Sequence, residues 1–354
     1  MLSSSSRLLP ITIVAVAVAV VLSGVGVRSQ QLPAPAAKAA EKCQKAIKKA
    51  AVAFVGKKLK SLNACANGVL ACVQVKPGDA SCVTKARAKC TSELAKIAAE
   101  EEKLRAAIVK ACTDDLTPAQ LLSSDGLGYD GVAATCLSEF STALTDVNSI
   151  AACVAAHHEC RSEKLFEVQE PRARELIEFA GAALPATTCL VDYGGNGESL
   201  NDPKETGKAV VKCEKAIKKA GAVFTAKKLK SLQKCVDSIF TCVQTKAGDA
   251  GCLTKATGTC NKEFDKITTA TGQVGPAIDK ACAGIAFPTV SGASGANLTA
   301  LASECAPFGV PAIGSLAAYE QCVVQQHECR VEQMLEATTP RMQELLGLGQ
   351  VTLP

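Results

Sequence analysis

Residues 43–112 read CQKAIKKAAVAFVGKKLKSLNACANGVLACVQVKPGDASCVTKARAKCTSELAKIAAEEEKLRAAIVKAC. Alanine, lysine, leucine and glutamate dominate, and all of them lose little freedom on entering a helix. Ile47, Phe54, Leu59, Leu62, Cys65, Val69 and Cys72 follow one another mostly at three-, four- or seven-residue steps, which makes one apolar stripe. Lys76-Pro77-Gly78-Asp79 reads as a turn, and a second helix is expected from about Cys82 to Cys112. There is no sustained alternation of period two, so strands are not expected.

Six cysteines set how the two helices face each other. Antiparallel helices joined by a short turn bring into register residues whose numbers have a constant total. Cys43 with Cys112 and Cys65 with Cys90 both total 155, and Cys72 with Cys82 totals 154. The expectation is a three-rung disulfide ladder, with Cys72–Cys82 nearest the turn and Cys43–Cys112 at the open end.

Working outward, Lys38–Cys90 aligns without a gap on Lys208–Cys260 at an offset of 170, with 30 of 53 positions identical. The same totals then pair Cys213 with Cys282, Cys235 with Cys260 and Cys242 with Cys252. Past a one-residue deletion, Cys136, Cys153 and Cys160 recur as Cys305, Cys322 and Cys329, and Cys189 has no counterpart. A third helix is expected near Asp146–Glu167, and Pro171 opens a short fourth. The fold class is therefore all-α, a tandem duplication of disulfide-laddered antiparallel helical hairpins, each followed by a smaller helical segment. The units are expected at 38–193 and 208–349, with an extended lead-in at 30–37 and a Gly-, Asn- and Asp-rich linker at 194–207. Cys153 and Cys160 lie about 10.5 Å apart along one helix and cannot bridge each other. Cys136 and Cys189 are their available partners, which leaves one of Cys305, Cys322 and Cys329 free or intermolecular.

Nineteen cysteines in 354 residues point to an oxidising compartment. Residues 1–29 read as a signal peptide: Arg7, the apolar run Leu8–Leu22, then Val27-Arg28-Ser29. The chain is expected to be secreted or periplasmic. The alternative is an N-terminal membrane anchor, since Leu8–Val27 is long enough to span a bilayer.

Chemistry is sparse. Three histidines, no tryptophan and twelve aromatics leave little for acid–base catalysis or an aromatic-lined cofactor site. The phosphate-cradling loop, the Gly-x-Ser-x-Gly elbow, His-Glu-x-x-His and Cys-x-x-Cys are all missing from the sequence. No catalytic residue and no cofactor is expected. The strongest local motif is His-Glu-Cys-Arg, at His158–Arg161 and His327–Arg330. It sets Cys153, His158 and Cys160, with His157, on one helix, and Cys322, His327 and Cys329 on another, a partial thiolate–imidazole set for Zn or Cu. Asn297-Leu298-Thr299 is a glycosylation sequon.

Charge is segregated. Lys38–Cys72 carries eight lysines and one glutamate, and Lys208–Cys242 carries nine lysines, Glu214 and Asp237, so each is +7 in a chain of +5. Such faces suit an anionic polymer, an anionic lipid surface or an acidic protein. The alternative is a solvated face whose lysines pair with Glu93, Glu100, Glu101 and Glu102. Lysine without interleaved aromatics argues against sequence-specific nucleic-acid reading. The expectation is an exported structural or binding protein without catalytic activity, contacting an anionic partner through lysine-rich helices. The alternative is a thiol- or metal-binding protein built on Cys153, His158, Cys160, Cys322, His327 and Cys329.

Overall fold

The fold, described from a computed structural model for residues 32–113 and 115–354, is all-α. The signal peptide expected at 1–29 lies outside the described residues. Helix α1 runs from Ala34 to Val75, with Pro35 in its first turn, where a missing N–H costs nothing. The last four residues of the expected lead-in, Ala34–Ala37, are therefore helical rather than extended. Gly78 adopts φ 79° in the turn, and the Asp79 side chain accepts from the Cys82 N–H at 3.0 Å to cap α2 (Ala80–Cys112). In the second half α7 (Lys208–Thr245) turns the same way, and Asp249 caps α8 (Ala250–Thr271).

Disulfides join Cys43–Cys112, Cys65–Cys90 and Cys72–Cys82 across the first hairpin, and Cys213–Cys282, Cys235–Cys260 and Cys242–Cys252 across the second. The bridges supplement a thin interface: α2 buries only Ala86, Cys90, Ile97, Leu104, Ile108 and Cys112. The hairpins differ in one respect. Where α2 is continuous, the second half carries Gly272, Gly275 and Pro276, and α8 stops to resume as α9 (Val274–Cys282).

Small helices follow each hairpin. In the first half these are α3 (Pro118–Leu122), α4 (Ala133–Phe140), α5 (Val147–Gln169) and α6 (Ala173–Phe179). In the second half they are α10 (Phe287–Ser291), α11 (Ala302–Cys305), α12 (Leu316–Thr338) and α13 (Met342–Leu348). Cys136–Cys153 ties α4 to α5, and Cys305–Cys322 ties α11 to α12. Cys160–Cys189 holds an irregular strap over α5, where Thr188 donates to Glu163 at 2.9 Å and the Val191 N–H to Glu167 at 3.1 Å.

The long helices of the two halves, α1 and α7, pack against each other, as do α5 and α12. Gln233 donates to the Lys48 carbonyl at 3.0 Å, Gln326 to the Lys164 carbonyl at 2.8 Å and Tyr319 to the Val168 carbonyl at 2.8 Å. Two arginines then reach across in opposite directions. Arg172, fully buried and paired with Glu175 at 3.0 Å, donates to the Gly295 carbonyl at 3.0 Å. Arg341, paired with Glu344 at 2.7 Å, donates to the Gly126 carbonyl at 3.0 Å. Both receiving loops need glycine, because a Cβ at Gly126 or Gly295 would stand 1.6 Å from the Gln120 carbonyl oxygen or 2.2 Å from that of Thr289.

The linker is anchored to both halves. Its Gly197 N–H donates to Glu175 at 2.5 Å, its Leu200 N–H to Gln74 at 3.3 Å, and Ser294 donates to its Glu198 at 2.9 Å. A single helical turn at Pro203–Gly207 then runs directly into α7.

Candidate functional site

The thiolate–imidazole set does not assemble. Cys153, Cys160 and Cys322 are spent in the disulfides with Cys136, Cys189 and Cys305, and a disulfide sulfur is not a thiolate ligand. Cys329 is the free cysteine among the described residues. The His158 Nδ1–H donates to the Val154 carbonyl at 2.8 Å, and burial presses its pKa down to about 4. Gln169 donates to His327 Nε2 at 2.7 Å, and burial lowers that ring to about 3. Both imidazoles are neutral and buried, and with three of the four cysteines bridged the six residues of the metal and thiol alternative do not form one set. Among the described residues no three His, Cys, Asp or Glu side chains are placed to hold a metal ion. Alkylating the unreduced protein is expected to label Cys329 alone; labelling at Cys153, Cys160 or Cys322 would restore the thiol reading. The sequon is also committed elsewhere, since Asn297 is buried and donates its side-chain amide to the Tyr193 carbonyl at 2.8 Å.

The lysines divide into two populations. Lys48, Lys58, Lys218 and Lys228 are almost wholly buried. Lys48 pairs with Asp237, Lys58 with Glu159 at 2.5 Å and Glu163 at 2.9 Å, Lys218 with Glu170 and with Glu214 at 3.4 Å, and Lys228 with Glu332 at 2.7 Å. Neither the binding-face nor the solvated-face reading of the sequence anticipated these four. A signal was present: Lys48 and Lys58 stand in one heptad-like row with Ala51, Val55, Leu62, Val69 and Val73, all buried. A lysine in such a row must find a carboxylate, because an unpaired ammonium is too costly to bury.

The exposed lysines differ between the two long helices. On α1, Lys42 pairs with Asp115 at 3.3 Å, Lys45 with Glu41 at 2.5 Å and Lys57 with Glu100 at 2.5 Å. On α7, Lys208, Lys212, Lys215 and Lys219 form no ion pair among the described residues, and steps of four, three and four place them on one face. Three surface grooves follow one another along this face. The first holds Lys76, Lys208, Lys212 and Lys215; the second Lys60, Lys215 and Lys219; the third Lys219, Lys227 and Lys280. No aspartate or glutamate lines any of the three. From Lys208 to Lys227 the strip extends about 29 Å. It is a row of flexible point charges without planar guanidinium groups, suited to repeated anionic groups rather than to base edges.

The chain matches no family model, no curated protein and no solved structure in comparisons with each.

Proposed function

We propose that this is a disulfide-stabilised binding module of an oxidising compartment that holds an extended anionic polymer along α7. The observation that carries the reading is the uncompensated row Lys208, Lys212, Lys215 and Lys219, set beside an α1 on which two of the four equivalent lysines, Lys42 and Lys45, have carboxylate partners. Nine disulfides support a compartment outside the cytoplasm, where such bonds persist. An export signal at 1–29 is part of the same reading. Among the described residues no helix is long and apolar enough to cross a membrane. The proposal assigns the module no reaction. Its two halves, 38–193 and 208–349, would act as one rigid support for the strip.

Heparin and inorganic polyphosphate are suitable probes. The oxidised full chain is expected to bind both, with affinity falling steeply as salt rises from 50 to 300 mM, a range over which screening shortens the reach of exposed charges. K208E/K212E/K215E is expected to weaken binding at least tenfold. The control K38E/K42E/K45E, on α1, is expected to weaken it far less. Equal losses in the two triple variants, or no binding to either polymer at low salt, would remove the strip from the function.

A further inference from the structure

The third groove differs from the other two, and the difference shows when the two halves are compared position by position. In the first half Glu100 sits between Lys57 at 2.5 Å and Lys103 at 2.7 Å, which together hold its pKa below the ordinary carboxylate range. At the offset of 170, the second half has Ala270 for Glu100, Gln273 for Lys103, and Thr271-Gly272 for Glu101-Glu102. Lys227, the counterpart of Lys57, has lost its carboxylate and donates only to the Gln273 side-chain oxygen at 2.9 Å. The same replacements end α8 and open a cleft of about 370 Å³ between α7 and α9. That lies within the usual size range of small-molecule sites, about 300–1,000 Å³.

The cleft has two distinct parts. Its rim is cationic, formed by Lys219, Lys227 and Lys280. Its wall is apolar, exposed at Val223 and Ala277 and half-buried at Ala220, with Phe224 and Val274 buried beneath it. Val223 replaces Ala53 of the first half and is 45% exposed, one of four large apolar side chains so exposed among the described residues. A hydrophilic polymer would satisfy the rim and leave this apolar surface wet. A ligand that covers both needs one negative head and a hydrocarbon tail.

We propose that the cleft between α7 and α9 binds a free single-chain anionic amphiphile, a fatty carboxylate, whose head takes the place that Glu100 holds in the first half. The head sits among Lys219, Lys227 and Lys280, and the tail lies on Val223, Ala220 and Ala277. This goes beyond polymer binding: it shares Lys219 and Lys227 with that reading but concerns a different ligand.

The test is calorimetric titration of the oxidised full chain with dodecanoate below its micelle concentration. One saturable site per chain is expected, tightening about fourfold per methylene from octanoate to decanoate. Dodecanol, which has the tail without the charge, is expected to bind at least tenfold more weakly. Gln273→Glu, at an exposed lining position that already accepts from Lys227, returns a carboxylate to the rim and should weaken dodecanoate at least tenfold. Val223→Gln, at an exposed position with little bearing on folding, should do the same through the tail. K208E/K212E, remote from the cleft, should impair heparin binding and leave dodecanoate unchanged, so that the two proposals can fail separately. Absence of saturation, insensitivity to both cleft variants, or binding to anionic phosphatidylglycerol vesicles without binding to monomeric dodecanoate would overturn the proposal.

Discussion

Replacing Lys218 with methionine is expected to destabilise the protein by about 3–5 kcal/mol, because it removes the buried ammonium that both Glu170 and Glu214 face. Lys218, Glu170 and Glu214 are all essentially buried, and Lys218 lies within ion-pair distance of both acids. Burial disfavours the ammonium, but the two carboxylates outweigh burial and hold the Lys218 pKa above its ordinary value. Burial first, and the neighbouring Glu170 second, push Glu214 well above the ordinary carboxylate range despite Lys218. A raised acid pKa means that the folded chain keeps a proton which the unfolded chain releases above about pH 4.5. The Glu214 contribution to stability is therefore full at acid pH and declines as pH rises through and beyond 4.5. Glu214→Gln mimics the protonated form and restores the residue type of its counterpart, Gln44. That variant is expected to gain on the natural chain steadily between pH 5 and 8 in urea-unfolding midpoints. Parallel pH profiles for the two would show that Glu214 does not carry the proton. A Lys218→Met variant as stable as the natural chain would dissolve the buried triad as a structural element.

The second large effect is covalent. Removing the open-end rung with C43A/C112A frees a loop with a sequence separation of 69 residues. On the loop-closure relation this amounts to about 4 kcal/mol, exerted through the unfolded state. The turn rung Cys72–Cys82 closes a separation of only 10 residues, and its removal is expected to cost about 3 kcal/mol on the same relation. Thermal or urea unfolding of the two double variants should thus rank the open-end rung above the turn rung. The reverse order would mean that strain or local contacts, not chain entropy, govern the ladder.

The contrast between the ladder and the buried triad marks how far the residues could be read in advance. Helical period and the constant total of cysteine numbers are local or nearly local properties, so the helical hairpins and their register were accessible from one chain. The positions of Lys48 and Lys58 in an apolar row were visible too, but their partners were not. Lys58 meets Glu159 and Glu163 on α5, a contact that exists only once the first half has folded back on itself, and Lys48 meets Asp237 on α7, a contact that exists only once the halves dock. Arg172 and Arg341 were less legible still, because the groups they bind are backbone carbonyls in glycine loops, which carry no side-chain signature. For the candidate site, composition assigned +7 to both long helices alike. What separates them is the placement of Asp115, Glu41 and Glu100 around α1, a matter of geometry rather than of count. The cleft beside α9 was in principle readable as a run of helix breakers, Gly272, Gly275 and Pro276, set where the first half has none.

Every disulfide of the described residues lies inside one half, and none crosses between them. Each half is stapled within itself, while the grip of Arg172 and Arg341 on the opposite loops is held by hydrogen bonds alone. The peptide at 194–207 is then the single covalent tether between two halves that otherwise hold each other only by packing, hydrogen bonds and ion pairs. One proteolytic nick there would turn a unimolecular contact into a bimolecular one, with association set by protein concentration instead of by a short leash. The hydrogen bonds that pin Gly197, Glu198 and Leu200 to the body therefore hold the only covalent connection of the two halves close against them.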